Sequence, residues 1–274
     1  MDTRVAGGTG ATDWRRRLPL LITVGGAGLL LLHGPIVQPS HYIEFADQST
    51  LLGVPHAADV LSSAGFAVIG VWGWLRLAPL RNHPALSAGW CGYRLFLVGL
   101  MLTALGSAFF HLAPDNQRLV WDRLPIALAC AGLLAGVRAE THPGSAGPRY
   151  ALALALCAAL SVAWWHYTDS AHGQGDLRPY LLLQLLPLAL IPLWQWIYGS
   201  PRADRAAFAV ALLLYVVAKV AELFDQRLLA ALGGISGHTL KHLLATAAAG
   251  VLVLRLWRRL RPTPASRSGA ALPR

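Results

Sequence analysis

The stretch 92-GYRLFLVGLMLTALGSAFFHLAPDNQRLVWDRLPIALACAGLLAGVR-138 contains two long apolar runs separated by a short polar break. The runs, at about 92–112 and 121–138, approach the roughly 20 residues that a helix needs to cross about 30 Å of hydrocarbon. The break, APDNQ, is rich in residues that end helices. The pattern predicts two transmembrane helices that run in opposite directions.

Similar runs recur along the whole chain of 274 residues, of which 55% are hydrophobic and 13% are charged. Soluble domains carry about 25% charged residues, so this composition indicates a membrane protein. We predict an all-α fold, a polytopic membrane helical bundle with spans at about 18–37, 58–77, 92–112, 121–138, 149–168, 179–198, 206–224 and 238–257.

The first of these spans is predicted to precede a core of seven helices. We expect a cytoplasmic segment at 1–17, an extra transmembrane helix at 18–37, the core at 38–257 and a disordered basic tail at 258–274. The first run could also be a signal peptide, but it is long and lacks a clear A-x-A cleavage site.

Arginine dominates the formal charge of +10 and lies mostly at the ends of the apolar runs. This placement argues against a nucleic-acid partner, which would require one basic patch with interleaved aromatic residues. The predicted topology places only four arginines on one side of the membrane, and most of the others on the opposite side. The four are Arg118, Arg123, Arg178 and Arg227. Because basic residues are retained in the cytoplasm, both termini are expected there, in an inner (plasma) membrane.

The most specific local motif in the sequence is the pair of histidines in 238-HTLKH-242. Histidines at i and i+4 share one helix face and can bind one metal ion together. The structural alternative is a pair of histidines hydrogen-bonded inside the bundle. Ionisable groups inside spans are commonly functional, however, and a catalytic zinc site needs a third ligand, for which His111 is the best placed candidate.

Ser107 and His111 repeat the i, i+4 spacing in the preceding motif. If His111 faces a metal, Ser107 lies one turn deeper and can donate a hydrogen bond to a developing oxyanion. Alternatively, Ser107 is a small packing residue bonded to its own backbone.

Asp122 opens the predicted span at 121–138, at the same side as His111 and His238. A catalytic role would make it the group that accepts a proton from an activated water. The alternative is a capping or first-turn acid that complements the helix dipole.

Lys219 and Glu222 are spaced i, i+3 inside another apolar run and are interpreted as a structural ion pair. Lys241 faces another way around its helix from the two histidines and is expected to meet Glu222 or to reach the surface. Three cysteines in or beside apolar segments, Cys91, Cys130 and Cys157, have no CxxC spacing and indicate packing.

Taken together, GSAFFH at 106–111, DRLP at 122–125 and GHTLKH at 237–242 resemble the alkaline ceramidase family. This family belongs to a wider superfamily of seven-helix membrane hydrolases that includes the adiponectin-receptor-like proteins. The resemblance covers about residues 42–257, with the first helix added as in bacterial relatives. It implies a zinc ion held by His111, His238 and His242, with Ser107 and Asp122 beside it.

The implied activity is that of a zinc-dependent hydrolase that cleaves the amide bond of a lipid such as ceramide, releasing a fatty acid and an amine. The acyl chain is expected to enter from the bilayer, while the headgroup stays near 41-HYIEFADQ-48 at the outer side. Non-catalytic alternatives are a zinc-containing receptor or structural protein, and a transporter, although polar residues are few in the inner half. Imidazoles also suit copper, nickel and iron.

Two departures limit the resemblance. The ceramidase pattern N-x-x-S-N is replaced by 59-DVLSS-63, which leaves Asp59, Ser62 and Ser63 as altered equivalents. The acidic calcium-binding segment of the animal enzymes is also not evident, since the region offers Asp47 and Gln48, with His56 further on. Calcium is therefore doubtful, and so is ceramide as the specific substrate.

Overall fold

The structure is a computed structural model that describes residues 13–142, 144 and 146–261. Residues 1–12 of the predicted cytoplasmic segment (1–17) and 262–274 of the predicted disordered tail (258–274) lie outside the described residues. Within the described parts of these two segments, α1 begins at Asp13 and α10 continues to Arg259. The helices are α1 (Asp13–His33), α2 (Ala57–Leu77), α3 (Pro84–Ser87), α4 (Trp90–Leu112), α5 (Asn116–Thr141), α6 (Gly147–His172), α7 (Arg178–Ile197), α8 (Arg202–Leu223), α9 (Asp225–Leu232) and α10 (Gly237–Arg259).

Seven of the described helices are long and apolar enough to cross a membrane, which confirms the predicted polytopic helical bundle. They are α2 with its short 3-10 extension to Leu80, α4, α5, α6, α7, α8 and α10. The seven correspond to the predicted core.

Helix α1 is not among these seven. It begins five residues and ends four residues earlier than predicted, and its first turns carry Arg15, Arg16 and Arg17. It packs along α7, where Gly26 lies against Leu182 and the Arg15 guanidinium stacks on Trp196 at 5.1 Å. A membrane-crossing α1 therefore stays a prediction.

Helices α4 and α5 pack against each other at very short distance because small residues line their contact. A Cβ atom at Gly92 would lie 2.1 Å from the backbone nitrogen of Gly136. At the other end of the pair, a Cβ atom at Gly106 would lie 1.8 Å from the carbonyl oxygen of Trp121. Small residues commonly allow such approach between membrane helices. The contact fixes Ser107 on α4 relative to Asp122 on α5.

Helix α5 begins earlier than predicted, and this changes the position of Asp122. The N-cap is Asp115, whose side chain accepts a hydrogen bond from Arg118 N at 2.7 Å. Asp122 therefore lies in the second turn and is buried. The expectation that Asp122 opens the helix, and with it the capping alternative, was wrong.

The segment between α1 and α2 folds over the end of the bundle that carries His111 and His238, which we call the site end. It contains a 3-10 turn (Ser40–Ile43) and a hairpin of β1 (Thr50–Leu51) and β2 (Val54–Pro55). Leu52 and Gly53 join the strands, both with positive φ, as a type I′ hairpin turn requires.

Two aspartates attach this segment to the helices. Asp47 accepts hydrogen bonds from the backbone nitrogens of Ala58 and Asp59 at 2.9 and 3.1 Å, so it caps α2 from a distance. Asp225 bonds to Ala46 N at 2.8 Å and to His238 N at 2.7 Å. Asp225 thereby links the segment to the start of α10.

Asp225 also begins α9, a helix in a region where the sequence predicts only a break before the last span. The eight residues of α9 include no buried side chain. Gly233 ends the helix in the left-handed conformation. The following turn positions Ser236, which caps α10 by accepting a hydrogen bond from Thr239 N.

Candidate metal centre

Three histidines from two helices meet at the site end. His111 lies in the last turn of α4, and His238 and His242 lie in the first turns of α10. Their ring centroids are 4.8 to 5.1 Å apart, and one nitrogen from each ring lies within 4.8 Å of the others. All three are at least 95% buried. The structure therefore brings the predicted ligands together in a site that could hold a metal ion.

One pair of these nitrogens has the spacing of two ligands that share a metal ion. Nε2 of His111 lies 3.2 Å from Nε2 of His238. Two nitrogens bound to one tetrahedral zinc at about 2.0–2.1 Å would be about 3.3 Å apart. Nδ1 of His111 has no hydrogen-bond partner among the described residues, although the ring is only 1% exposed. Buried polar atoms without partners are uncommon, so this nitrogen is free to meet a group that the described residues do not supply.

The third histidine is oriented by the polar groups of α2. Nδ1 of His242 lies 2.9 Å from the Ser62 hydroxyl and 3.2 Å from the carbonyl oxygen of Asp59. A carbonyl oxygen only accepts, so we assign the ring proton to Nδ1. This tautomer leaves the Nε2 lone pair for a metal, as in many protein sites where the second ring nitrogen bonds to the protein.

The altered motif 59-DVLSS-63 therefore contributes to the site. Ser63 Oγ lies farther from His242 Nδ1, at 3.5 Å. Asp59 is fully buried, and its Oδ1 accepts hydrogen bonds from Thr239 at 2.5 Å and Ser236 at 3.3 Å. This carboxylate joins α2 to the first turn of α10 and helps fix the register of the histidines.

Lysine and glutamate side chains surround His238 on another side. Lys241 Nζ lies 2.8 Å from His238 Nε2 and 2.9 Å from Glu222 Oε1, and Glu222 also pairs with Lys219. The predicted ion pair of Lys219 and Glu222 is confirmed, and Lys241 joins it. The expectation that Lys241 meets Glu222 is confirmed, whereas the expectation that it faces another way around the helix from both histidines was wrong, since its Nζ contacts His238. A metal ion would have to displace the hydrogen bond from Lys241 to His238.

An aromatic side chain covers the histidines from the segment before α2. The ring of Phe45 lies edge-on to His111 at 4.6 Å and to His238 at 4.5 Å. The next polar residues of this segment are used within the fold. Asp47 accepts three backbone hydrogen bonds, from Ser49, Ala58 and Asp59, while the Gln48 side chain donates to Phe45 O.

The electrostatics of Asp47 reflect these bonds. Burial acts to raise the pKa of the carboxyl, but hydrogen bonds from Ser49, Asp59 and Ala58 outweigh burial and hold the pKa below its ordinary value. Asp47 is therefore an ionised cap of α2 at neutral pH.

Ser107 and Asp122 lie next to the histidines and line the same internal cavity as His242. Ser107 is 1% exposed and lies within hydrogen-bonding reach of the Asp122 carboxylate, but its hydroxyl forms no hydrogen bond of ordinary geometry among the described residues. By contrast Thr103, one turn earlier, bonds back to the carbonyl oxygen of Gly99 at 2.8 Å. The backbone-bonded alternative for Ser107 is therefore not what the structure shows. Its hydroxyl can turn to meet a ligand.

The cavity has a volume of about 290 Å³ and extends from this polar end into the bundle. Its polar end includes Ser107, Asp122, Lys241 and His242. The remaining wall is mainly apolar and includes Phe96, Leu100, Leu133, Phe208, Leu212 and Leu252. A polar end with an apolar body is a shape suited to a lipid chain that carries one reactive group.

Arg123 enters the sequence-based prediction only as one of the few arginines on its side of the membrane. In the structure its side chain is 3% exposed and lines the cavity beside Asp122. A charged residue inside a predicted span is itself a signal of function, and that signal could have identified it.

Comparison with models of protein families, with curated proteins and with solved structures finds no match to this chain. The resemblance to the alkaline ceramidase family therefore stays a prediction based on the three motifs.

Proposed function

We propose that this protein is a zinc-dependent membrane hydrolase that cleaves the amide bond of an N-acyl lipid to a fatty acid and an amine. One observation carries the proposal: one of the three clustered buried histidines, His242, lines an apolar cavity together with a buried serine and a buried aspartate. A zinc ion held by His111, His238 and His242 would supply a Lewis acid and lower the pKa of a water to about 7.

The cavity suggests how the substrate lies. The acyl chain occupies the apolar body between α4, α5, α8 and α10, and the amide carbonyl reaches the polar end. Burial of the chain contributes about 0.8 kcal/mol per methylene group, which favours long-chain substrates over short ones.

Asp122 and Ser107 take the two remaining roles. Asp122 removes a proton from the attacking water as the new carbon–oxygen bond forms, and returns it to the amine nitrogen as the carbon–nitrogen bond breaks. The Ser107 hydroxyl, which forms no well-aligned hydrogen bond of its own, donates to the carbonyl oxygen as negative charge grows there. His242 stays oriented through its Nδ1 bond to Ser62.

The test compares wild type with Asp122→Asn, which keeps the size of the side chain but removes its basicity. Purified proteins are incubated with N-acyl lipids that contain one common acyl chain, while fatty-acid release and bound metal are measured. We expect equal metal content and a loss of at least about 100-fold in rate for the variant. Equal turnover by both proteins would contradict the role of Asp122.

A non-catalytic metal protein is the second candidate, because the same three histidines serve it equally well. It predicts bound metal in both proteins and fatty-acid release by neither. That result would reject the hydrolase and leave a receptor or structural site.

A further inference from the structure

Arg123 is a buried cation that forms no salt bridge with any of the described carboxylates. Its side chain is 3% exposed, and the adjacent Asp122 carboxyl acts on it only through longer-range attraction. Nη2 donates to Gln38 Oε1 at 2.6 Å, while Nε and Nη1 have no hydrogen-bond partner among the described residues. Burial of a charge with unsatisfied donors is costly, so an occupant that supplies the missing acceptors is expected.

Three aromatic rings hold the guanidinium in place. Its carbon lies 4.0 Å from the ring centroid of Trp165 on α6, 5.3 Å from that of Tyr42 and 5.4 Å from that of Tyr180 on α7. Rings at these distances attract the cation but accept none of its in-plane N–H groups. The position of the guanidinium is therefore fixed, while two of its nitrogens keep donors available.

The cavity connects this cation to the candidate metal centre. Arg123, Tyr42 and Tyr180 line the same cavity as Asp122, Ser107 and His242. Adjacent residues on a helix lie at nearly the same depth but about 100° apart around the axis. Asp122 is thus directed toward the helices that carry the histidines, and Arg123 toward α6 and α7. Both residues lie at the depth in the bundle at which the substrate amide would be held.

We propose that Arg123 binds an oxyanion, a carboxylate or a phosphate, on the amine half of the lipid amide. This inference rests on the proposed function and narrows its substrate to N-acyl lipids with an anionic headgroup. The acyl half is assigned to the apolar body because Leu133, which lines it, lies ten residues, or about 15 Å, farther along α5 than Arg123. An arginine donates several charge-assisted hydrogen bonds to such a group.

Binding is tested first, because it does not require turnover. The probes are N-palmitoylglycine, N-palmitoylethanolamine phosphate, neutral N-palmitoylethanolamine and palmitate, each titrated into metal-free protein in detergent. We expect at least one anionic amide to bind about tenfold or more tightly than the neutral amide and than palmitate. Arg123→Gln should remove this advantage and leave the affinity for the neutral amide within about twofold.

Arg118→Gln is the matched control, since Arg118 lies on the same helix but does not line the cavity. It should retain the preference. Arg123→Lys keeps a cation among the rings and provides a second variant if Arg123→Gln does not fold. Lysine cannot reproduce the planar set of donors, so a reduced preference is expected.

Several outcomes would overturn the inference. One is equal affinity of wild type for the anionic and neutral amides, and another is a preference that survives in Arg123→Gln. A third is palmitate binding as tightly as the anionic amides, which would make Arg123 a site for the fatty acid. Measuring the cleavage of anionic and neutral amides distinguishes failure of this inference from failure of the proposed function. Efficient cleavage of neutral amides without an anion preference would retain the hydrolase and reject the anion site.

Discussion

The Ser62 hydroxyl lies 2.9 Å from Nδ1 of His242 and connects α2 to the histidines of α10. Ser62 also donates to the carbonyl oxygen of Asp59 at 3.0 Å, so its oxygen is positioned to accept the ring proton of His242. Ser62 therefore supports the tautomer that the Asp59 carbonyl oxygen selects for this candidate metal ligand. Partners of this kind usually affect metal affinity without touching the metal.

We expect Ser62→Ala to weaken metal binding about 10- to 100-fold, because His242 loses the nearer of the two partners that orient its ring. Ser63→Ala is the matched control, since Ser63 Oγ is 3.5 Å from the same nitrogen and the effect should be smaller. Competition with a chelator, followed by metal analysis, gives both affinities. A larger loss in Ser63→Ala than in Ser62→Ala would contradict this account.

The metal content should depend on each of the three histidines. We expect His111→Ala, His238→Ala and His242→Ala to fall from about one metal per chain to almost none, since a site with two remaining nitrogens binds weakly. His172→Ala, at an exposed histidine in the last turn of α6, should retain its metal. Wild-type metal content in any of the three variants would argue against a shared site.

Gly106→Ala should separate α4 from α5. The added methyl group would lie 1.8 Å from the carbonyl oxygen of Trp121, so the helices must move apart next to Asp122. We expect destabilisation by about 1–3 kcal/mol and a greater loss of activity than of metal, since the histidines lie on α4 and α10. Gly25→Ala is the control, because nothing lies within 4 Å of its added Cβ. Thermal unfolding in detergent and fatty-acid release provide the readings.

Asp176, in the loop before α7, connects the start of that helix to Trp164 on α6 and to Ile36. We expect acid to weaken this connection. Burial acts to raise the pKa of this carboxyl, but hydrogen bonds from Arg178, Trp164 and Ile36 outweigh burial and lower the pKa from 3.8 to about 2. The carboxylate thus contributes stability that is complete above about pH 4 and is lost as the pH falls toward 2.

We accordingly expect Asp176→Asn to reduce the unfolding free energy by at most about 2 kcal/mol at neutral pH, and the gap from wild type to narrow between about pH 4 and 2. Melting temperatures of the two proteins across this range give the comparison. A constant gap would show that the charge of Asp176 does not stabilise the fold.

Much of the bundle could be predicted from apolar run length, because the hydrocarbon thickness sets how many residues a span requires. The ends of the helices could be predicted less well from the sequence. Hydropathy predicts a start for α5 at about residue 121, whereas the polar turn from Asn116 to Val120 continues the helix after the Asp115 cap. Composition cannot distinguish a polar helical turn at a membrane surface from a loop.

Part of the candidate site could also be predicted from the sequence. The i, i+4 spacing places His238 and His242 on one face from the sequence alone, because helical geometry brings them together. The unpaired donors of the buried Arg123 guanidinium could not be predicted in this way. Its three aromatic neighbours come from α6, α7 and the segment before α2, and no local spacing joins them.

By itself, the sequence determined that this chain forms a helical membrane bundle with polar groups concentrated near a few span ends, since hydropathy and helical periodicity are local properties. Only the tertiary structure decided that α4 and α10 bring three imidazoles together, that Ser62 orients one of them, and that Asp122 and Arg123 share a cavity. These relations depend on how closely helices approach and how they rotate about their axes. Contacts such as Gly106 with Trp121 set that geometry through packing across the whole bundle.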